Sequence, residues 1–277
     1  MDIDFPLILS WAVIISGLIW LGDTLFLKPG REAAALAHEK KHGEGSGDAL
    51  RRESLLVEYA HSFFPVLALV LMLRSFLVEP YQIPSESMVP TLEIGDFILV
   101  NKFAYGIRLP VLGTKVVDIG APERGDVMVF VPLHDPKYFI KRVIGLPGDR
   151  IQYRNKQLTI NGEPVKRQFV REFEERMASR RIRVREYEEQ LGEALHPIYT
   201  YNTLEPGREW VVPEGHYFMM GDNRGKSFDS RSWGDIYPDR PELSFVPDSA
   251  IVGKAFAIWM HMPGWSIPSF ERNQRIR

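Results

Sequence analysis

The chain has 277 residues, a formal net charge of −2, 45% hydrophobic residues and no cysteine. That length suits one large domain or two small ones, and a near-neutral charge without a basic stripe gives no reason to expect a nucleic-acid partner. Without cysteine there is no disulfide, no thiolate nucleophile and no Cys-based metal site.

In chain order, Phe5 to Leu21 carries no charged residue, and Asp23 follows it. A second apolar stretch runs from Tyr59 to Val78, interrupted by Arg74. At about 1.5 Å rise per residue, each can cross most or all of a ~30 Å hydrocarbon core. The first lacks the basic n-region and the nearby small-x-small site of a cleaved secretory signal. Asp23 and Arg74 lie near the span ends, where charges reach the interface. Between the spans, Lys28 to Glu58 carries Lys28, Arg31, Lys40, Lys41, Arg51 and Arg52, whereas Met1 to Asp4 carries no basic residue. The positive-inside rule then puts that loop in the cytoplasm, the N-terminus outside, and everything from Glu79 onward outside as well. With Gly43-Glu44-Gly45-Ser46-Gly47 in it, the loop reads as a flexible connector; a short interfacial helix around Glu32–Lys41 is the alternative.

From Glu79 the pattern becomes mostly β. Candidate strands are Phe97–Phe103, Val127–Val131, Tyr138–Ile144, Gln157–Ile160, His216–Met220 and Ile251–Met262, short, rich in β-branched or aromatic residues and bounded by Gly and Pro. Asn161-Gly162 between Ile160 and Glu163 is a two-residue hairpin signal. Arg171 to Leu191 is dense in Glu and Arg and reads as a solvated insertion, a helix or a long ribbon, away from any chemistry. The expected layout is a first span over 1–27, a cytoplasmic loop over 28–58, a second span over 59–78, and an extracytoplasmic β-rich domain over 79–277 with a charged insertion near 166–209.

Two stretches in that domain carry chemistry. In a strand, alternate residues share a face, so Lys141 points with Phe139 and Val143. The usual fate of such a lysine is an exposed edge. If that face is buried, the ammonium is desolvated and its pKa falls. A half-neutral amine at pH 7 needs a lowering from about 10.4, worth roughly 4–5 kcal/mol. A neutral amine can take a proton from a serine hydroxyl. The serine candidates are Ser85 and Ser87, on a turn bounded by Pro84 and Pro90 that fix φ. One hydroxyl can attack while the other, with a backbone N–H, holds an oxyanion; the commoner role of such serines is to satisfy local backbone. A third stretch, Met219 to Arg231, is a polar loop after an apolar strand; in it Asp229 and Arg231 can pair and Ser227 can orient an amine, although by itself it reads as a well-knit turn. The sequence has no H-E-x-x-H zincin pattern, no G-x-S-x-G elbow and no phosphate-binding glycine loop. His216, in a strand beside Tyr217, reads as structural.

These stretches carry a resemblance. Ile83-Pro-Ser-Glu-Ser-Met-Val-Pro-Thr-Leu92, with Ile94-Gly-Asp-Phe-Ile-Leu-Val100, resembles the serine box of bacterial type I signal peptidases (leader peptidases). Arg124-Gly-Asp-Val-Met-Val-Phe130 resembles their next box, and Phe139-Ile-Lys-Arg-Val-Ile-Gly-Leu-Pro-Gly-Asp149 the lysine box. Met220-Gly-Asp-Asn-Arg-Gly-Lys-Ser-Phe-Asp-Ser-Arg-Ser-Trp-Gly234 resembles the last. The resemblance covers most of the chain from Tyr59.

It implies two N-terminal transmembrane helices followed by a mostly antiparallel β catalytic domain, and an inner-membrane, multi-pass serine endopeptidase with its catalytic domain on the periplasmic side. It implies a Ser/Lys dyad of Ser87 as nucleophile and Lys141 as general base, with no metal and no organic cofactor. Ser85 and the Ser87 N–H would form the oxyanion hole, Ser227 would orient Lys141, and Asp229 with Arg231 would brace the site. Ile83, Met88, Leu92, Ile98, Val129, Phe139 and Ile140 would line small apolar pockets suited to A-x-A-like substrates. The implied partners are preproteins bearing signal peptides, membrane lipid and the protein-export machinery. Where many members have two polar residues after Gly-Asp-Asn-Arg, this chain has Gly225-Lys226, and Asp235 to Ser244 is an extra segment. A processing enzyme with a narrower substrate set, or a catalytically dead membrane scaffold, are the rival readings.

Overall fold

The computed structural model describes residues 5–43, 45–76, 78–108, 115–177, 180–203, 205–264 and 266–276. The backbone contacts divide the chain into two compact units, Met1–Leu77 and Val78–Arg277.

The first unit is helical. Helix α1 (Phe5–Gly22) runs through a π-helical turn (Asp23–Leu27) into α2 (Lys28–His42); α3 (Asp48–Arg51) and α4 (Leu55–Phe76) follow. Two helices here, Ile8–His42 and Leu55–Met72, are long and apolar enough to cross a membrane. Their large side chains face outward, Trp11, Ile14, Leu18 and Leu21 on one and Phe63, Val66 and Leu69 on the other. Gly17 lets α1 approach α4: a Cβ there would stand 2.8 Å from the Phe64 ring. The expected flexible connector is instead largely helix over Lys28–His42. From Arg31 to His42 it is Ala-rich and free of Gly and Pro, which favours helix, and Asp23 draws Arg31 back across the junction at 2.5 Å. Asp23 is therefore buried in an ion pair rather than free at an interface. Glu44 and the Arg74 side chain lie outside the described residues.

The second unit is built on antiparallel strands. They are β1 (Val78–Gln82), β2 (Asp96–Asn101), β3 (Ile107–Arg108), β4 (Lys115–Val117), β5 (Val127–Phe130), β6 (Phe139–Gly145), β7 (Arg150–Arg154), β8 (Gln157–Ile160) and β9 (Glu163–Pro164). Then come β10 (Arg167–Met177), β11 (Arg180–Leu191), β12 (Ala194–Tyr201), β13 (Arg208–Val211), β14 (His216–Met220), a short helix α5 (Ser230–Ile236), β15 (Val246–Pro247), β16 (Ile251–His261) and β17 (Gln274–Arg275). The main sheet runs β1-β2-β16-β5-β6-β14-β15, with β17 on β16, and curls on itself. Both faces of β6 are covered: Val143 packs with Met128, Phe130, Met219 and Trp233, while Ile144 packs with Ile151, Leu158 and Phe218. This is why the strand reads as a near-continuous apolar run with two cations inside it.

The six expected strands form within one or two residues of their anticipated ends. Asn161 and Gly162 take φ of 54° and 85° between paired Ile160 and Glu163, the two positive φ angles that a type I′ hairpin requires.

The charged segment is a ribbon, β10 on β11, with β12 completing a three-stranded sheet. Its Arg and Glu side chains pair across the strands, Arg171 with Glu186 at 2.6 Å and Arg185 with Glu172 at 2.7 Å. A Phe169–Tyr187 ring contact on one face and a Phe173–Tyr199 contact on the other add apolar packing. The ribbon, expected to lie apart, is tied to the polar loop of the second unit. β11 and β12 are fastened to the Gly221–Arg231 loop through a buried Glu189–Arg224 pair and backbone bonds between Tyr199 and both Asp222 and Arg224.

Candidate active site

Ser87 sits in the connection from β1 to β2, on a one-turn 3-10 helix, Glu86–Met88. The apolar residues on either side anchor the turn: Ile83, Met88 and Leu92 are buried with Ile98, Val100, Val127 and Val129. Lys141 comes from the third position of β6, opposite Met128 of β5. It shares a face with Phe139, whose ring centroid is 5.6 Å from Nζ. The two side chains, 54 residues apart in sequence, meet with Nζ 2.7 Å from Ser87 Oγ. Nζ also donates to the Ile140 carbonyl at 3.1 Å. Both residues are buried, Ser87 at 9% and Lys141 at 4% exposure.

Burial dominates the Lys141 amine. Desolvation pushes its pKa down from 10.5 to about 8, against the opposing pull of Asp229 and Asp222 and aided by the charge of Arg231. The amine is thus a base of moderate strength. It is about a tenth neutral at pH 7 rather than half neutral, because the two carboxylates partly offset desolvation.

The loop after β14 closes the site from the other side. Asn223 donates its backbone N–H to the Ser87 carbonyl and its side-chain amide to the Glu86 carbonyl, both at 3.1 Å. A Cβ on Gly221 would overlap the Ser87 carbonyl oxygen and the Ser227 hydroxyl, so only glycine permits this approach. Gly221→Ala is expected to fold and to lose about a hundredfold in kcat/KM on a preprotein substrate, since displacement of about 1 Å at a reacting atom has that effect. Unchanged kinetics would refute the tight fit.

Asp229 caps α5 by accepting the Arg231 N–H at 3.2 Å, and also accepts from Gly221 N–H at 3.0 Å. Arg231 grips it with Nε and Nη2, each at 2.8 Å. Burial opposes the Asp229 charge, but Arg231 holds its carboxyl below the usual range. The Ser227 hydroxyl is buried against Gly221 without a hydrogen bond of normal geometry. Ser85 Oγ lies 3.3 Å from Ser87 Oγ.

A cleft of about 380 Å³ opens at the pair. Ile83, Met88, Phe139 and Ile140 line it; Leu92, Ile98 and Val129 are fully buried in the cluster behind. Lys226, noted above as a departure, also faces it, as do Tyr138 and Phe228, which the sequence does not single out. Nor was the ion pair beneath the site. Arg142 is completely buried, with Nε and Nη2 on Asp222 at 2.8 and 2.7 Å and Nη1 on the Gly125 carbonyl at 2.6 Å. Thr91 donates to the same carboxylate at 2.5 Å. Both members lie inside motifs quoted above, but they are 80 residues apart, and nothing in a single sequence couples them. Among the described residues, Asp23, Glu53 and His61 bring potential ligand atoms within 4.8 Å of one another. Arg31 engages Asp23 and His61 lies 3.3 Å from Glu53, which makes this an ion-pair network.

Residues 56–260 match the family described as signal peptidase, peptidase S26. The chain belongs to that family. A signal peptidase I of Pseudomonas aeruginosa is 52% identical over 283 residues, spanning 98% of each chain. One of Pseudomonas fluorescens is 49% identical over 284 residues, again 98% of each. A crystal structure of a signal peptidase I from Enterococcus faecalis is 25% identical, covers 50% of this chain and 98% of its own, and superposes with a TM-score of 0.29, too slight a likeness to add to the argument. Family membership makes the chain an S26 peptidase, an enzyme that cleaves signal peptides.

Proposed function

We propose that the chain is a membrane-bound serine endopeptidase that removes N-terminal signal peptides from exported preproteins with a Ser87/Lys141 dyad. The 2.7 Å contact between Lys141 Nζ and Ser87 Oγ, in surroundings that bring the amine to about 8, carries this reading.

The neutral amine takes the Ser87 proton as Oγ bonds to the scissile carbonyl carbon. The resulting ammonium gives that proton to the departing nitrogen as the C–N bond breaks. Lys141 then takes a proton from water as the water oxygen bonds to the acyl carbon, and returns it to Ser87 Oγ as the ester C–O bond breaks. Ser87 is the second residue of a helical turn, whose first N–H groups have no acceptor within it; with the Ser85 hydroxyl it is suited to hold the oxyanion. Ser227, Asp229 and Arg231 keep the loop against the dyad. The apolar cleft lined by Ile83, Met88, Phe139 and Ile140 suits small residues ahead of the cut, with Leu92, Ile98 and Val129 as its backing. This chemistry balances without a cofactor.

The two apolar helices and the basic residues between them support an inner-membrane protein with both spans crossing, the N-terminus outside and the catalytic domain periplasmic. The layout of spans over 1–27 and 59–78, a loop over 28–58 and a catalytic domain over 79–277 belongs to the same reading. Ser87 follows Val78 by nine residues, which supports catalysis at the bilayer surface, with lipid and the export machinery as neighbours.

Cleavage assays on Ser87→Ala and Lys141→Met proteins test the dyad; full activity in both would refute it. A pH profile tests the amine separately. kcat/KM is expected to climb about tenfold per pH unit up to about 8 and then level. A climb continuing towards pH 10 would mean an ordinary lysine or another base.

A further inference from the structure

A second cleft, of about 390 Å³, lies on the ribbon side of the serine turn. Glu86, Asn223 and Lys226 form its near wall, and Phe173, Glu175 and Tyr199 its far wall. Lys226 lines both this cleft and the apolar one. A polypeptide cut at Ser87 has two arms. If the residues before the cut fill the small apolar cleft, those after it leave across the turn in the other direction, towards this polar, aromatic cleft.

We propose that this second cleft binds the first residues of the mature chain, and that its charge selects neutral or cationic residues there over acidic ones. The inference rests on Ser87 being the point of cleavage.

The charge follows from the pairing. Arg272 serves both Glu93, at 2.8 Å, and the buried Asp96, at 2.9 Å, so this group adds no positive charge to the cleft. What remains is one ammonium between two carboxylates, with Lys226 Nζ 2.7 Å from Glu86 and 2.5 Å from Glu175. Those carboxylates are the outer groups: Lys226 is 16% exposed, Glu86 50% and Glu175 31%. Tyr201 fixes Glu175 from behind with a 3.0 Å hydrogen bond, and its ring packs flush on Gly225, where a Cβ would overlap it. Although burial works against the Lys226 charge, its hydrogen bonds to Glu175 and Glu86 raise its pKa, so it stays charged and cannot offset both carboxylates. An incoming side chain meets net negative potential beside the rings of Phe173 and Tyr199, a setting that attracts cations, as Arg171 over Phe173 already shows. The insertion thus contributes one wall of the site, and the Gly225-Lys226 pair marks where that wall meets the serine turn.

The test uses the full-length enzyme in detergent and three preproteins that share one signal peptide, with Lys, Gln or Glu at the second and third mature positions. Wild type is expected to favour Lys over Gln over Glu, each step about two- to fivefold in kcat/KM at low salt and shrinking as salt is added. Glu175→Gln should narrow the Lys-to-Glu ratio and Lys226→Gln widen it. A wild-type enzyme that is indifferent to the charge, or prefers Glu, overturns the proposal whatever the variants do. So does a ratio unmoved in both variants. Failure of the dyad reading looks different, since Ser87→Ala would then cut all three preproteins.

Discussion

Lys141→Met is expected to lose preprotein cleavage by at least about 10³-fold while the protein stays folded. Methionine fills the same apolar slot beside Phe139 but offers Ser87 no base, so the hydroxyl must ionise unaided. Ser87→Ala should show the same loss, and the double variant should be no worse than either single one, because a dyad acts as a unit. The stability readout separates this from simple damage. Burial moves the Lys141 pKa from 10.5 to about 8, which corresponds to about 3 kcal/mol against the charged form. Between those two values the unfolded chain binds the proton and the folded one does not. Wild-type stability should therefore rise as pH increases from about 8 to 10.5, and below 8 the full penalty applies. The methionine protein should lack that rise and be at least as stable as wild type at pH 7. Denaturant midpoints at pH 7 and 10 on both proteins decide it. A methionine variant that melts early would mean that Lys141 is structural.

Asp222→Ala is expected to be the most destabilising single change near the site, by about 3–5 kcal/mol, since it strands a completely buried guanidinium. Burial opposes the Asp222 charge, but Arg142 keeps its carboxyl below the usual range, so the pair is charged throughout the working pH. Asp222→Asn should recover little, because the amide has no charge to offset Arg142. Replacing both partners by apolar residues, Arg142→Met with Asp222→Leu, should restore most of the loss. Urea titration of the four proteins provides the comparison. A shift below about 1 kcal/mol for Asp222→Ala would mean that water or a rearranged side chain reaches Arg142.

The strands that sequence made legible were those whose own side chains carry the pattern. Val127–Phe130 and His216–Met220 are short apolar runs between turn residues, and the Asn161-Gly162 turn declares itself. β1 was missed because Pro80 sits inside it, at an edge where a missing N–H is tolerated. β7 was missed because Arg150 and Arg154 dilute its alternation. The ribbon's charges suit helix and strand alike, and only the folded sheet brings Phe173 to Tyr199. Local parity was enough to put Lys141 on one face with Phe139 and Val143. What stayed hidden were relations that exist only after folding: Asn223 tied to Ser87, Arg142 seated on Asp222, and Lys226 held between Glu86 and Glu175.

Lys141 and Arg142 are consecutive on β6 and point to opposite sides, the amine to Ser87 and the guanidinium to Asp222. A slip of one residue in the pairing of β6 with β5 would exchange them. Ser87 would then face a group that does not give up its proton near neutral pH, and Asp222 would receive a shorter, single-pronged cation. On the proposed dyad, the register of this one hairpin matters to activity as much as either side chain. Length changes should be absorbed in the loop from 131 to 138, ahead of the strand, whereas a single inserted or deleted residue between Phe139 and Lys141 would leave an enzyme with every required side chain present and the wrong one at the serine.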